Sequence, residues 1–330
     1  MLLDKKNLKE ALRLLSEQGE VYIPGEVSGV SRFVLWQSGA EELPEDYVNT
    51  QLPPKDILFP NTEKMYAYKT GDGEITGAEQ SKKQVIFGIR PCDMRAIECM
   101  DKVFLEKSYT DSFYSDKREK SVLIAIGCTV PCKTCFCDSM GLDLSSAPAA
   151  DMLIFDKGEA YEVSPQTDKG QAVADLWSGL LTKAKTAKTA KAKCELKAKM
   201  GDKLPEKLAA MFEHPIWDEA GRACIGCGTC TYVCPTCYCF DIGLDNRGSE
   251  GVAFRCWDSC MFSDYTAMAG GHNPRPTKKE RVRNRYMHKL SYFNERYGMT
   301  LCVGCGRCVD KCPSNMDITE FIDIAAEVAL

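Results

Sequence analysis

The chain has 330 residues, enough for two ordinary domains with sizeable cores. Its mild net charge of −5 and average globular composition argue against a general nucleic-acid binder and a polybasic membrane surface. No stretch approaches the roughly 18 uninterrupted apolar residues of a membrane span, and the amphipathic start MLLDKKNLKEALRLL leads into neither an apolar signal core nor a small-residue cleavage site.

Residues 5–17 repeat Leu8, Leu12 and Leu15 at helical spacing, and the short strand VYIP follows. The stretch 25–60, rich in Pro and Gly, resists a regular assignment. QVIFGI at 84–89 predicts a buried strand, RPCD a turn and MRAIECMDKVF a helix. VLIAI at 122–126 predicts a second buried strand, ending at Gly127 and Cys128. Residues 153–163 and on to about 181 supply the last strands and helix. This order predicts an α/β domain over 1–181. In 182–208 Lys and Ala dominate and aromatics vanish, which predicts a solvated helix or linker, with a basic docking arm as the alternative. From there two cysteine blocks flank helix-leaning sequence. The expected fold class is α+β: the N-terminal α/β domain, the linker, and an α-helical dicluster ferredoxin-like domain over 209–330.

Nineteen cysteines exceed structural chance. The expected location is the cytoplasm, where thiols stay reduced, so dense, regularly spaced cysteines read as metal ligands. Thiolates select zinc, copper(I) or iron–sulfur clusters, and spacing decides among them. CIGCGTCTYVCP places Cys224, Cys227, Cys230 and Cys234 before Pro235, and CVGCGRCVDKCP places Cys302, Cys305, Cys308 and Cys312 before Pro313. Each is the bacterial ferredoxin run C-x2-C-x2-C-x3-C-P. Three thiolates at two-residue gaps wrap one cube of iron and sulfide, and the fourth, after a longer gap, ligates the other. The expected ligands are Cys224, Cys227, Cys230 and Cys312 for one [4Fe-4S] cluster, and Cys302, Cys305, Cys308 and Cys234 for the second. Gly226, Gly228, Gly304 and Gly306 let backbone N–H groups approach the sulfurs. A pair of zinc sites is the bland alternative. Cys234 and Cys302 are 68 residues apart, and the helical patterns between them resemble the α-helical ferredoxin arrangement.

The remaining cysteines give weaker signals. Cys92 lies in RPCD, and Cys128, Cys132, Cys135 and Cys137 lie in GCTVPCKTCFC, each block at a strand end. If the two strands are parallel neighbours, these ends meet in one crevice, where Cys92, Cys128, Cys135 and Cys137 are candidates for a third [4Fe-4S] cluster. Reduced buried thiols are the bland reading. Cys128, Cys132 and Cys135 also spell C-x3-C-x2-C, the spacing of radical S-adenosylmethionine enzymes, but Thr134 stands where those carry an aromatic. Cys237, Cys239, Cys256 and Cys260 form a further possible quartet, for which packing beside the clusters is the preferred reading. Cys194, in the Lys/Ala run, is expected to be a free thiol, and Cys99 core. The basic run RPTKKERVRNRYMHK at 275–289 reads as a solvated helix face, or as a docking surface for an acidic partner. His214, His272 and His288 fall in no ligand spacing, and no dinucleotide fingerprint or Walker loop appears.

Taken together, FGIRPCDMRAI, GCTVPCKTCFCDSMG, CPTCYCFDI, RCWDSCMF, AGGHNPRP, HKLSYFNERYG and the final CVGCGRC run resemble a known family. It is the iron–sulfur electron-transfer subunit found in anaerobic sulfite reductase and, as the β subunit, in sulfhydrogenase-type soluble [NiFe] hydrogenases. The resemblance runs from about residue 52 to the end. It implies a non-catalytic subunit that passes electrons between a flavoprotein NAD(P)H oxidoreductase, or a ferredoxin, and a separate catalytic subunit of sulfite reductase, hydrogenase or heterodisulfide-reductase-like type. It carries the family's ligands onto the eight ferredoxin cysteines and onto Cys92, Cys135 and Cys137. Cys132 and Cys256 are additions to the family pattern. The rival expectation is an enzyme with its own flavin or substrate site in the N-terminal domain.

Overall fold

A computed structural model describes every residue except 38–42, 45–46, 72, 78–79, 107–108, 184–191 and 330. Residues 184–191 of the expected linker therefore lie outside the described residues. The strands, in chain order, are β1 (Leu2–Asp4), β2 (Glu20–Val27), β3 (Val30–Leu35), β4 (Thr62–Lys69), β5 (Ile75–Gly77), β6 (Gln84–Ile89), β7 (Ser121–Ile126), β8 (Met152–Asp156), β9 (Ala160–Pro165), β10 (Leu181–Thr182), β11 (Phe240–Arg247) and β12 (Glu250–Trp257). The chain divides into two units. The first comprises Met1–Pro54, Ser81–Lys197 and Val303–Gly306, and the second Lys55–Gln80, Ala198–Cys302 and Arg307–Leu330.

The first unit is built on an eight-stranded sheet of order β10-β1-β9-β8-β7-β6-β2-β3. Strands β2, β6, β7 and β8 run parallel, and β1, β3, β9 and β10 pair antiparallel at its two sides. All six residues of β6 are buried, as a central parallel strand with both faces covered requires. The helix Leu8–Ser16 turns Leu8, Ala11, Leu12 and Leu15 into the core, the 3.6-residue stripe visible in the sequence. Trp177 closes that side, its indole donating to Ala11 O at 3.1 Å.

Immediately after β6, Arg90 is the extended N-cap of the helix Pro91–Phe104, with Pro in its first turn, where the missing N–H costs nothing. That helix buries Met94, Ile97, Met100 and Phe104, each stabilising the fold by about 1.5–3 kcal/mol. Arg90 is buried, and its guanidinium donates to Val48 O at 2.7 Å and to Gly127 O at 3.0 Å. One side chain thus ties the carboxyl ends of the parallel neighbours β6 and β7 together, and the RPCD and Gly-Cys turns leave the sheet side by side.

The second unit has a smaller sheet of order β11-β12-β4-β5. The segment between the cysteine runs is therefore not wholly helical: its first part is the hairpin β11–β12, paired antiparallel to β4. The buried Arg255 meets Glu63 at 2.6 Å across β12 and β4, beneath the rings of Phe59 and Phe240, and Trp257 stacks on Phe59. Helices supply the rest. Lys278–Met287 opens on a Thr277–Glu280 capping box and runs into a π-helical turn, His288–Tyr292. Trp217 and Tyr286 pack their rings against Phe321 at 4.9 and 4.7 Å between centroids.

Candidate metal centres

In the second unit, a cavity gathers Cys224, Cys227 and Cys230 with Cys308 and Cys312. The first three come from one short loop, and Cys312 reaches them from the far end of the other run. Apolar side chains, among them Ile225, Met261, Val282 and Ile318, complete the wall. Backbone donors already face sulfur: Gly226 N lies 3.4 Å from Cys224 Sγ, and Met316 N lies 3.2 Å from Cys312 Sγ. Arg285 lines the same cavity, buried, and its Nε has no hydrogen-bond partner among the described residues. Burial opposes its charge, yet the thiols of Cys230 and Cys308 hold the guanidinium well above its usual range. A buried cation aimed at sulfur ligands in an apolar, carboxylate-free pocket fits an anionic polynuclear cluster. The thiols stand around a common volume.

A second gathering surrounds Cys234. Its Sγ lies 3.3 Å from Thr236 Oγ1, and that hydroxyl accepts from Lys289 Nζ at 2.6 Å. Lys289 sits in the π-helical turn, and its carbonyl accepts from Cys302 N at 3.3 Å. Such turns are local widenings that recur at functional sites. Burial disfavours the Lys289 ammonium, but Cys234, Cys237 and Cys302 more than compensate and hold its pKa above the usual lysine range. Lys55, also buried, donates to Cys237 O at 2.8 Å and lies 3.9 Å from the Trp257 ring centre. Here burial wins over the neighbouring thiols, and the pKa falls to about 8.

The basic run is thus not a solvated face. Arg281, Arg285 and Lys289 are buried. Arg283 donates to Phe212 O at 2.9 Å and covers the Phe212 ring, and Lys279 pairs with Asp218 at 2.8 Å. The charges turn inward because thiols and carbonyls there offer them partners.

Of the further quartet, the structure brings Cys237 against Cys234 and Cys239 against Cys260. Cys256 stands apart, opposite Asp241 in the hairpin, with Asp241 and Asp258 as its charged neighbours. His288 is a satisfied core histidine, its Nε2 2.9 Å from the Tyr238 hydroxyl.

In the first unit, a cavity lies at the carboxyl ends of β6 and β7, lined by Cys92, Cys128, Cys132, Cys135 and Cys137, with Arg90 at its wall. The four residues expected at a third site therefore share one cavity, together with Cys132. The Val303–Gly306 loop packs on the same cysteine loop. Phe136 N donates to Gly304 O at 2.8 Å, and Cys135 Sγ lies 3.5 Å from Cys305 O. A Cβ on Gly304, at φ +65°, would come within 2.7 Å of the Cys137 backbone. Cys194, expected to be a free thiol, takes part in no disulfide and is buried against Cys137. Its surroundings of Lys and Ala carried no signal of this.

Comparison with known proteins places a 4Fe-4S dicluster domain over residues 223–316. Over 328 residues the chain is 32% identical to the sulfhydrogenase 2 subunit beta of Pyrococcus furiosus, covering 96% of each chain. No solved structure matches it.

Proposed function

The chain belongs to the family of the sulfhydrogenase β subunits, and from that premise we propose that it is the electron relay of a cytoplasmic oxidoreductase complex. In this reading a flavoprotein NAD(P)H oxidoreductase subunit, or a ferredoxin, stands on one side, and a catalytic subunit on the other. A hydrogenase is the favoured catalytic partner, because the relative is named a sulfhydrogenase subunit. Among the described residues, no helix is long and apolar enough to cross a membrane. The ligand sets are Cys224, Cys227, Cys230 and Cys312 for one [4Fe-4S] cluster, and Cys302, Cys305, Cys308 and Cys234 for the next. A third cluster, with Cys92, Cys135 and Cys137 among its ligands, occupies the cavity of the first unit. When bound, such clusters supply one-electron carriers whose potentials follow burial, charge and hydrogen bonding to sulfur.

The observation that supports a relay is that buried cations face the thiols of the second unit, Arg285 toward Cys230 and Cys308 and Lys289 toward Cys234 and Cys302. The buried Arg285 and Lys289 offset the negative charge that transfer brings, and the apolar walls exclude water.

The test uses the purified, flavin-free subunit under anaerobic conditions. It should accept electrons from a low-potential dye and show no NAD(P)H oxidation until a flavoprotein partner is added. Steady NAD(P)H oxidation by the lone subunit would overturn the relay assignment.

A further inference from the structure

We propose that Cys194 supplies the fourth thiolate, with Cys92, Cys135 and Cys137, of the cluster in the first unit. The proposal rests on the reading that this unit holds a third cluster. Four observations carry it. The Cys137 thiol is within side-chain hydrogen-bonding reach of Cys135, Cys194 and Cys92. All four belong to a single buried cluster, and Cys194 is only 4% exposed, whereas Cys128 and Cys132 are half-buried.

The third observation is how Cys194 is held. Asp138 follows Cys137 directly, and its Oδ2 accepts from Cys194 N at 3.1 Å and from Lys197 Nζ at 2.5 Å. The short 3₁₀ turn Cys137–Met140 thus presents a thiol to the Cys194 side chain and a carboxylate to its backbone. A solvated linker has no use for such an anchor. A ligand does, because a thiolate must be fixed in direction as well as distance.

The fourth is chemical. Four buried thiols pressed together, in a chain whose other cysteine sets are cluster motifs, are the donor set of an iron–sulfur cube. Deprotonation on binding removes the crowded S–H groups and leaves four thiolates facing iron. Cys128 and Cys132 then line the cavity without ligating.

The experiment compares the full-length chain with Cys194→Ser and Cys128→Ser after anaerobic reconstitution, reading iron, acid-labile sulfide and the EPR of the reduced protein. The wild type should hold about twelve iron, Cys194→Ser about eight, and Cys128→Ser about twelve. Retention of the other clusters' EPR in Cys194→Ser certifies its fold. Full iron in Cys194→Ser, or loss of four irons from Cys128→Ser, overturns the assignment. Should Cys194→Ser lose all iron through misfolding, Cys194→Asp decides: full iron with altered g-values supports ligation, and a wild-type spectrum refutes it. Only about eight iron in the wild type would instead sink the underlying reading of a third cluster.

Discussion

Replacing Lys289 with Met removes a buried positive charge from the thiol set around Cys234 while keeping most of the side-chain volume. The ammonium and Cys234 Sγ share Thr236 Oγ1 as a contact, at 2.6 and 3.3 Å, so they are no more than about 6 Å apart. At an effective dielectric of about 20, a unit charge at that distance is worth about 3 kcal/mol, and nearer 2 for an electron spread over a cluster beyond the sulfur. For a one-electron couple, where 59 mV is tenfold, this amounts to a fall on the order of 100 mV. The sign follows because the reduced form carries the extra negative charge that Lys289 stabilises. Lys289→Arg should keep most of the potential. Anaerobic redox titration followed by EPR reads the shift, and unchanged iron content shows that the site is intact. A shift below about 20 mV, roughly a twofold effect on the equilibrium, with full iron, would refute the electrostatic account.

Replacing Cys312 with Ala should damage the cluster held by Cys224, Cys227 and Cys230 and spare the one bordered by its own run. Selective loss of the Cys302, Cys305 and Cys308 signal in EPR would show that ligation is not crossed. Glu63→Ala leaves the guanidinium of Arg255 buried beneath Phe59 and Phe240 and should cost about 3–5 kcal/mol. Urea unfolding followed by tryptophan emission measures it, and a loss under about 1 kcal/mol would mean that the aromatic rings alone hold the hairpin.

The parts legible in the sequence are those whose cause is local. The two ferredoxin runs are recognisable by spacing alone, in agreement with the 4Fe-4S dicluster domain matched over residues 223–316. Strands β6 and β7 announce themselves as continuous apolar runs, and Leu8, Leu12 and Leu15 mark a helical stripe. What escapes such reading depends on distant partners. The hairpin β11–β12 gains its place from β4, and the Arg255–Glu63 bond spans 192 residues, so nothing near residue 250 predicts it. Cys194 sits among Lys and Ala, and only Asp138 and Cys137, more than fifty residues earlier, reveal that it is held. Charge patterning reads the run at 275–289 as solvated because it assumes water as the partner. Arg285 and Lys289 of that run instead face thiols from elsewhere in the chain.

The Val303–Gly306 loop bears on how the protein is made. The first unit holds the N-terminal sheet, yet its cysteine loop is completed by residues near the end of a 330-residue chain. Domains generally fold from the N-terminus during synthesis, at about 5–20 residues per second. Here the sheet emerges from the ribosome long before Gly304 can seat against Cys137. For that interval Cys92, Cys135 and Cys137 stand without their final cover, open to stray metal ions and oxidants. A cell making this protein gains by delivering iron and sulfide late, after Gly304 has emerged, and a chain truncated before Gly304 should keep its sheet while leaving these thiols reactive.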